Sequence, residues 1–282
     1  MTTGSTGTGA RRLMAVFAHP DDESLGAGGA LAKCAAEGID VFLVTATSGE
    51  AGRYQGHRRG DPQHPGPRAL ADIRAAELRE AAAVLGVCDV ALLQYPDGAL
   101  DGVDPRRAIG SIVSHLRRVR PDVVVTFGPD GAYGHPDHVA ISQFTTAATI
   151  AAADASFASD DASAQPPHVT SKLYYIAWPA AAWAAYQSAI GTLSSTVDGI
   201  ERHATPWPDW AISAVIDTRN VSATVARAVS CHASQVAAYG PLKDLSPERQ
   251  NALWGRQSFY RAFSLVNGGR AREESLFEGI GT

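Results

Sequence analysis

Several features are scarce in this chain of 282 residues, and each scarcity narrows the class of protein. It has three cysteines, an odd and widely scattered set, which argues against a disulfide framework and favours a reducing, cytoplasmic setting. No segment approaches the ~20 consecutive apolar residues that cross a bilayer, so we expect no membrane insertion. The net charge of −5 gives no reason to expect nucleic acid as a partner. A homo-oligomer is compatible with these features.

Familiar catalytic and cofactor signatures are absent as well. There is no Walker-type phosphate loop and no Gly-x-Ser-x-Gly nucleophile turn. Gly26 and Gly28 follow a predicted strand, but the dinucleotide fingerprint needs a third glycine where Leu31 stands. We therefore interpret these glycines as sites of close helix packing and do not expect a dehydrogenase. Cys34 and Cys88 lie in apolar stretches and are predicted to be core residues.

Two short polar motifs stand out against this background. The first, Ala-His-Pro-Asp-Asp-Glu over residues 18–23, follows the apolar run Leu13–Phe17. The second, Gly-His-Pro-Asp-His over 134–138, follows the apolar run Val123–Phe127. A strand-to-helix turn needs at most one capping residue, so packing alone does not explain this composition. Histidine and carboxylate together suit a borderline metal such as Zn²⁺ or Fe²⁺, and a catalytic zinc usually has three protein ligands.

The remainder of the chain shows alternating strand and helix patterns. This alternation predicts an α/β fold: one Rossmann-like domain with a mostly parallel sheet, helices on both faces, and a site at the C-terminal strand ends. After the strand that ends at His19, strands are predicted at 41–47, 90–93, 123–127, 173–178 and 211–216, and helices at 24–37, 69–85, 104–119, from about 139, 180–190, 221–238 and 246–265.

The domain organisation follows from composition. Residues 1–11 are predicted to be a flexible, Gly/Thr-rich tail, and residues 12–282 a single domain. The part from about 171 to 282 is expected to complete the substrate pocket. Residues 52–67 form a long polar stretch that is typical of a functional loop or lid, in which we expect His57 and His64 to be solvated rather than metal-bound. Residues 154–171 are expected to form a surface loop.

The two motifs resemble those of the LmbE-like, or PIG-L, family of zinc-dependent N-deacetylases, whose signature is Ala-His-Pro-Asp-Asp-Glu followed later by His-Pro-Asp-His. The resemblance covers the first half of the chain well. Beyond residue 150 it rests on Cys231–Gln235 and Leu276–Gly279. It implies a Zn²⁺ cofactor, with Fe²⁺ or another divalent metal as an alternative, and a small-molecule amino sugar as the substrate.

By this resemblance the metal ligands are His19, Asp22 and His138. The residue spacing agrees, since His19 and Asp22 lie three apart at a turn and His138 follows another strand. Asp21 corresponds to the general base, with a helix N-cap as the alternative role. Glu23 is expected to make a supporting hydrogen bond. His232 is expected to make a structural hydrogen bond rather than to act in catalysis.

Other residues of the site also come from the resemblance. His135 is expected to stabilise the oxyanion or act as general acid, and Asp137 to orient His135, with turn capping as the alternative for Asp137. Arg74 and Asp97 correspond in position to substrate-binding residues, although Arg74 could equally be solvated. Tyr133 could direct its hydroxyl at the substrate carbonyl or pack as an aromatic residue at the rim.

Together these features predict a metal-dependent amide hydrolase. It would remove an N-acyl group, in the first place acetyl, from an N-acetylglucosamine-type substrate by metal-activated water. The first alternative is an amidase that cleaves a cysteinyl–glucosamine conjugate of the mycothiol type. A non-catalytic sugar-binding module is a weaker alternative, because a binding protein has no need of the Asp21 base. A metallophosphoesterase would need ligands for a second ion, and none has clear spacing.

Overall fold

The computed structural model describes residues 10–157, 165–197, 199–235, 242 and 244–281. Its strands are β1 Arg12–Phe17, β2 Asp40–Thr47, β3 Asp89–Tyr95, β4 Val123–Thr126, β5 Lys172–Ile176, β6 Ser194–Val197, β7 Ile200–His203, β8 Ala214–Asp217 and β9 Arg256–Ser264. Its helices are α1 Asp22–Gly26, α2 Gly28–Ala36, α3 Pro67–Leu85, α4 Pro105–Val119, the distorted turn α5 Gly131–Gly134, α6 Pro136–Ala151, α7 Ala180–Ile190, α8 Ser222–Cys231 and α9 Pro247–Trp254.

Seven strands form one sheet in the order β3-β2-β1-β4-β5-β9-β8. The first five are parallel, whereas β9 pairs antiparallel with both β5 and β8. Residues 13–17 of β1 are fully buried, because helices cover both faces of the parallel part. This mostly parallel α/β architecture confirms the predicted fold class.

The strand order places β1 beside β4 at the centre of the sheet. The chain moves outward through β2 and β3 and then crosses back to β4. At such a reversal, the connections after the two strands diverge and leave a crevice at their carboxyl ends. The first motif follows β1 and the second follows β4, so the topology brings both motifs to this crevice.

One sequence prediction at the C-terminal end was wrong, and another was shifted. Residues 246–265 are not one helix: α9 ends at Trp254, and β9 begins at Arg256. Phe259 and Phe263 give this segment strand-forming character, and pairing on both sides outweighs its helical pattern. The strand predicted over 211–216 lies at Ala214–Asp217, after a 3-10 turn at Asp209–Ala211.

Smaller differences concern breaks and boundaries. The helix predicted over 24–37 is interrupted at Ala27, which separates α1 from α2. The helix predicted over 221–238 ends at Cys231, and its last predicted residues lie outside the described ones. The hairpin of β6 and β7 was not predicted at all. Cys34 is buried as expected, but Cys88 is exposed, because it lies at a loop before β3.

Most of the predicted tail lies outside the described residues, and so does the middle of the loop expected at 154–171. Within the described part of the chain, no helix combines the length and the hydropathy needed to cross a bilayer.

Candidate active site

A cavity of about 310 Å³ opens at the carboxyl ends of β1 and β4. Residues from both motifs line it, together with residues that follow β2, β3 and β5. Eight of the nine residues predicted for the site line this cavity: His19, Asp21, Asp22, Arg74, Asp97, Tyr133, His135 and His138. The ninth, Asp137, lies directly behind and is fully buried.

Three side chains with potential ligand atoms converge at the base of the cavity. His19 Nδ1 lies 3.1 Å from His138 Nε2 and 3.6 Å from the nearer Asp22 oxygen, Oδ2. His138 Nε2 lies 3.4 Å from Asp22 Oδ1. Donor atoms on a tetrahedral zinc ion, each roughly 2.0–2.1 Å from it, are about 3.3 Å apart. The spacing of His19, Asp22 and His138 therefore fits one divalent ion.

Neighbouring groups fix the two histidine rings. His19 Nε2 lies 3.0 Å from Asp137 Oδ2 and 3.2 Å from Asp97 Oδ1. The ring of His138 stacks on Phe127 at a centroid distance of 4.0 Å and an interplanar angle of 7°. A carboxylate on the far nitrogen of a histidine is the usual support for a metal ligand, because it fixes the tautomer and orients the ring.

His19 also belongs to two other groups with closely spaced ligand atoms, one with His135 and His138 and one with Asp97 and Asp137. Asp97 Oδ2 accepts a backbone hydrogen bond from Ala51 N at 2.8 Å, and Asp137 accepts from Gly98 N and Leu100 N at 2.7 and 3.0 Å. These hydrogen bonds fix the two carboxylates beside His19 Nε2.

The charge balance at the histidines also favours a cation. Burial alone would lower the pKa of His19, yet the hydrogen bonds that its ring donates to Asp137, Asp22 and Asp97 raise that pKa well above its ordinary value. Burial would raise the pKa of Asp22, but His138 and His19 outweigh it and hold that pKa far below its usual range. The site is thus built to stabilise positive charge. Burial lowers the pKa of His138 to about 3, which keeps its ring neutral and able to bind a metal.

Asp21 has an unusual backbone conformation. Its φ is 114°, in the left-handed region that side-chain-bearing residues seldom adopt. Its amide donates to Glu23 Oε2 at 2.9 Å. Glu23 in turn accepts from Ser24 Oγ at 2.6 Å, and its Oε1 lies 2.8 Å from His232 Nε2. Both Glu23 and His232 are essentially fully buried, so this ion pair anchors the strained turn from the inside.

Arg74 is buried and is not the solvated side chain that was one alternative. Its Nη2 donates to Asp21 Oδ2 at 3.0 Å, and its Nη1 donates to Gly49 O at 2.9 Å. Gly49 has a φ of 70°, and a Cβ there would lie 2.2 Å from Arg74 Nη1, so glycine is required for this approach. Burial raises the pKa of Asp21 to about 6, with Arg74 opposing the rise and Asp22 adding to it.

The carboxylate of Asp137 contacts His19, whereas we expected it to orient His135. The two hydrogen bonds from Gly98 and Leu100 hold it on that side. It is the backbone amide of Asp137 that reaches His135, donating to Nδ1 at 3.2 Å. Burial lowers the pKa of His135, as does His19, while the charge of Asp137 partly opposes this. The neutral ring then carries its proton on Nε2 and can act as a hydrogen-bond donor.

The two histidines of the loop at 52–67, His57 and His64, make hydrogen bonds within that loop. His57 Nδ1 lies 3.1 Å from Asp61 Oδ2, and His64 contacts Gly52 O and Gly66 N.

Gln235 was missed by the sequence analysis. It lines the cavity and donates to Arg53 O at 2.8 Å. Its place in the family-like segment at 231–235 was the available signal.

Comparison with known proteins identifies the family. The family model described as GlcNAc-PI de-N-acetylase, PIG-L, matches residues 14–149. A 1D-myo-inositol 2-acetamido-2-deoxy-alpha-D-glucopyranoside deacetylase of Rhodococcus jostii is 34% identical, over 96% of this chain and 99% of its own. The chain belongs to the PIG-L family. The deacetylase of the same name from Kineococcus radiotolerans is 36% identical, over 96% of this chain and 83% of its own.

Among solved structures, GalB, the 4-carboxy-2-hydroxymuconate hydratase of Pseudomonas putida, is similar to this chain with a TM-score of 0.67. The identity is 18%, over 93% of this chain and 100% of that one. At this identity the likeness shows the PIG-L fold alone, and a shared fold does not carry an activity. The assignment to the PIG-L family therefore rests on the sequence relatives.

Proposed function

We propose that this PIG-L family protein is a metal-dependent N-deacetylase that removes the acetyl group from an N-acetylglucosamine-type sugar. The observation that carries the proposal is the convergence of His19, Asp22 and His138 within 3.6 Å of one another, in a cavity that Asp21 also lines. The deacetylase relatives support the choice of an N-acetylated amino sugar as the substrate.

His19, Asp22 and His138 would hold the metal, with zinc as the first choice for two imidazoles and a carboxylate. A divalent ion held there would supply a nucleophile by lowering the pKa of water, and would polarise the amide carbonyl. Asp21 accepts the proton of the attacking water, because its raised pKa of about 6 suits a general base near neutral pH. Arg74 holds the Asp21 carboxylate in place.

His135 and Tyr133 act on the carbonyl side. The Nε2–H of neutral His135 donates a hydrogen bond to the developing oxyanion, and Asp21 passes the proton that it took from the water to the leaving amine. Burial raises the pKa of Tyr133 well above its ordinary value, so its hydroxyl remains a donor at any working pH. Asp97 borders the cavity and is placed to accept a sugar hydroxyl. We further propose that the protein acts in the cytoplasm.

The direct test measures primary-amine release from N-acetylglucosamine glycosides with protein stripped of metal and then reloaded. We expect release with zinc and none after chelation. Asp21→Asn should retain the metal and lose release, whereas His138→Ala should lose both. Release that persists without any divalent metal would contradict the proposal.

A further inference from the structure

Two chemically different sets of residues line the cavity. One set comprises ionisable side chains of both motifs together with Arg74 and Asp97. The other set, which we term the apolar wall, consists of Leu25, Trp178, Trp183, Tyr186, Ile190 and Leu193. Helix α7 and its two flanking segments supply all of these except Leu25.

The polar atom of Tyr186 is not available to a ligand. Its hydroxyl donates to Leu25 O at 2.6 Å and accepts from Trp254 Nε1 at 3.1 Å. Only the ring of Tyr186 therefore remains to line the cavity. The indole Nε1 of Trp183 is buried and has no hydrogen-bond partner among the described residues, so it too presents no polar atom to the cavity.

The apolar wall is preformed by aromatic packing. The ring centroid of Trp178 lies 5.1 Å from that of Trp183 and 6.5 Å from those of Tyr186 and Phe127. Gly26 brings α1 close, since a Cβ there would lie 2.9 Å from Ile176 Cδ1 and 3.8 Å from Trp178. A rigid wall of this kind does not need to be ordered when a ligand binds, which preserves binding free energy.

We propose that the apolar wall binds an aliphatic or aromatic group carried by the substrate. This inference rests on the proposed function and adds that the amino sugar is amphipathic, with an apolar N-acyl chain or an apolar aglycone. Sugar hydroxyls placed against Ile190 and Leu193 would lose water without gaining partners, which is unfavourable. Each methylene placed there instead gains about 0.8 kcal/mol, equivalent to about a 4-fold change in affinity.

Binding can be tested separately from turnover with methyl, butyl and hexyl β-D-glucosides, which contain no amide. Tryptophan fluorescence of the whole protein should report affinity that rises about 3- to 4-fold per methylene until the wall is covered. Leu193→Ser and, independently, Ile190→Thr should flatten this dependence. Leu265→Ser is the matched control, because Leu265 is 65% exposed and does not line the cavity. Equal affinity for the three glucosides, as for a sugar that merely stacks on the rings, would overturn the inference.

Turnover then identifies which substituent uses the wall. One series lengthens the N-acyl group of methyl glucosaminide from acetyl to hexanoyl, and the other lengthens the aglycone of N-acetylglucosamine from methyl to hexyl. A rise in kcat/KM that follows chain length in either series, and that Leu193→Ser abolishes, supports the inference. If deacetylation is observed but neither binding nor turnover depends on chain length, the inference about the apolar wall is wrong and the proposed function stands. If binding depends on chain length but no amine is released, the proposed function is wrong and the inference about the apolar wall stands.

Discussion

The protein contains two buried clusters of charged side chains that differ in their charge balance. At the carboxyl ends of β1 and β4, Asp22, Asp97 and Asp137 surround His19. At the amino end of β5, one carboxylate, Glu273, lies 2.7 Å from Lys172 Nζ and 2.9 Å from Arg261 Nη1 and accepts from Tyr174 and Asn267.

The difference between these clusters separates a functional from a structural role. In the Glu273 cluster the single carboxylate has two cations, Lys172 and Arg261, as partners, so no negative charge is left without a partner. This cluster fastens the C-terminal segment to the sheet, where Glu273 also bonds through its backbone to Ser213 and Val215. The cluster at His19 has an excess of carboxylates and opens into the cavity. Such an excess of carboxylates favours the binding of a cation, so the charge balance distinguishes the candidate site from the structural cluster.

The largest expected effect comes from removing the proposed base, Asp21, and a proposed metal ligand, Asp22, in separate variants. Asp21→Asn should lower kcat by about 10²–10⁴-fold while leaving bound metal unchanged, because general-base catalysis is lost but the ligands are intact. Asp22→Asn should lose metal as well. Amine release and metal content measured on the same samples check both. Full activity in Asp21→Asn would assign the base to another group.

The next largest effect is expected from weakening the strained turn at Asp21, which Glu23 and His232 anchor. Replacing His232 by Ala leaves the Glu23 carboxylate buried without its ion pair, so we expect a loss of stability of about 3–5 kcal/mol and a kcat reduced about 10- to 100-fold with little change in KM. His232→Gln, which can still donate to Glu23, should recover much of kcat. Denaturant unfolding and steady-state kinetics provide the two readouts. A kcat unchanged in His232→Ala would show that the turn needs no anchor.

For the Glu273 cluster we expect a substitution to lower stability without lowering activity. Glu273→Gln should cost about 3 kcal/mol of unfolding free energy and leave kcat/KM unchanged, because the cavity lies at the other end of the sheet. Asp217→Asn is the matched control: it removes the carboxylate of the exposed pair with Arg219 and should cost less than about 1 kcal/mol. A fall in kcat/KM for Glu273→Gln would show that the two clusters are coupled.

The Glu273 cluster should also make the free energy of unfolding depend on pH in the acidic range. Burial alone would raise the pKa of Glu273, but the hydrogen bonds from Lys172, Tyr174 and Asn267 hold it below its ordinary value. The folded form therefore binds this proton less readily than the unfolded chain, and the contribution is complete above the unfolded pKa, ~4.3. It is lost as pH falls through the folded pKa. Urea midpoints from pH 6 to pH 3 should fall less steeply in Glu273→Gln than in the wild type.

The smallest effect is a shift in the pH profile of activity. Asp21 must be deprotonated to act as a base, so kcat/KM should fall as pH drops through its pKa. Because Arg74 lowers that pKa, Arg74→Gln should move the acid limb to higher pH, by about 1 unit or more. The limb in the wild type and the variant is compared at fixed metal concentration. An unmoved limb would mean that another group controls it.

The parallel half of the fold could be predicted from the sequence, and so could the position of the polar motifs at its strand ends, because both depend on local patterns. Buried apolar runs define β1 and β4, and the strand tips that follow carry the histidines and carboxylates. The partners of those residues could not be predicted in the same way. That Asp137 holds His19, and that Arg74 reaches Asp21, depends on which elements the topology brings together.

The antiparallel half was harder to predict for a related reason. Strand β9 carries the polar residues Arg256, Ser258 and Arg261 among its aromatics, and only pairing with β5 and β8 makes the extended form favourable. The hairpin of β6 and β7 has short strands with mostly exposed side chains, so hydrophobic periodicity gives no signal there. The Asp198-Gly199 pair between them was the available turn signal.

The contact between Glu23 and His232 joins residues 209 positions apart in the sequence. During synthesis the proposed metal ligands emerge well before His232, the residue that steadies the turn at Asp21. A contact between such distant positions forms late, because a long loop must close first. We expect a growing chain to acquire its proposed metal-binding groups well before it acquires catalysis, so that hydrolysis begins only after His232 has emerged.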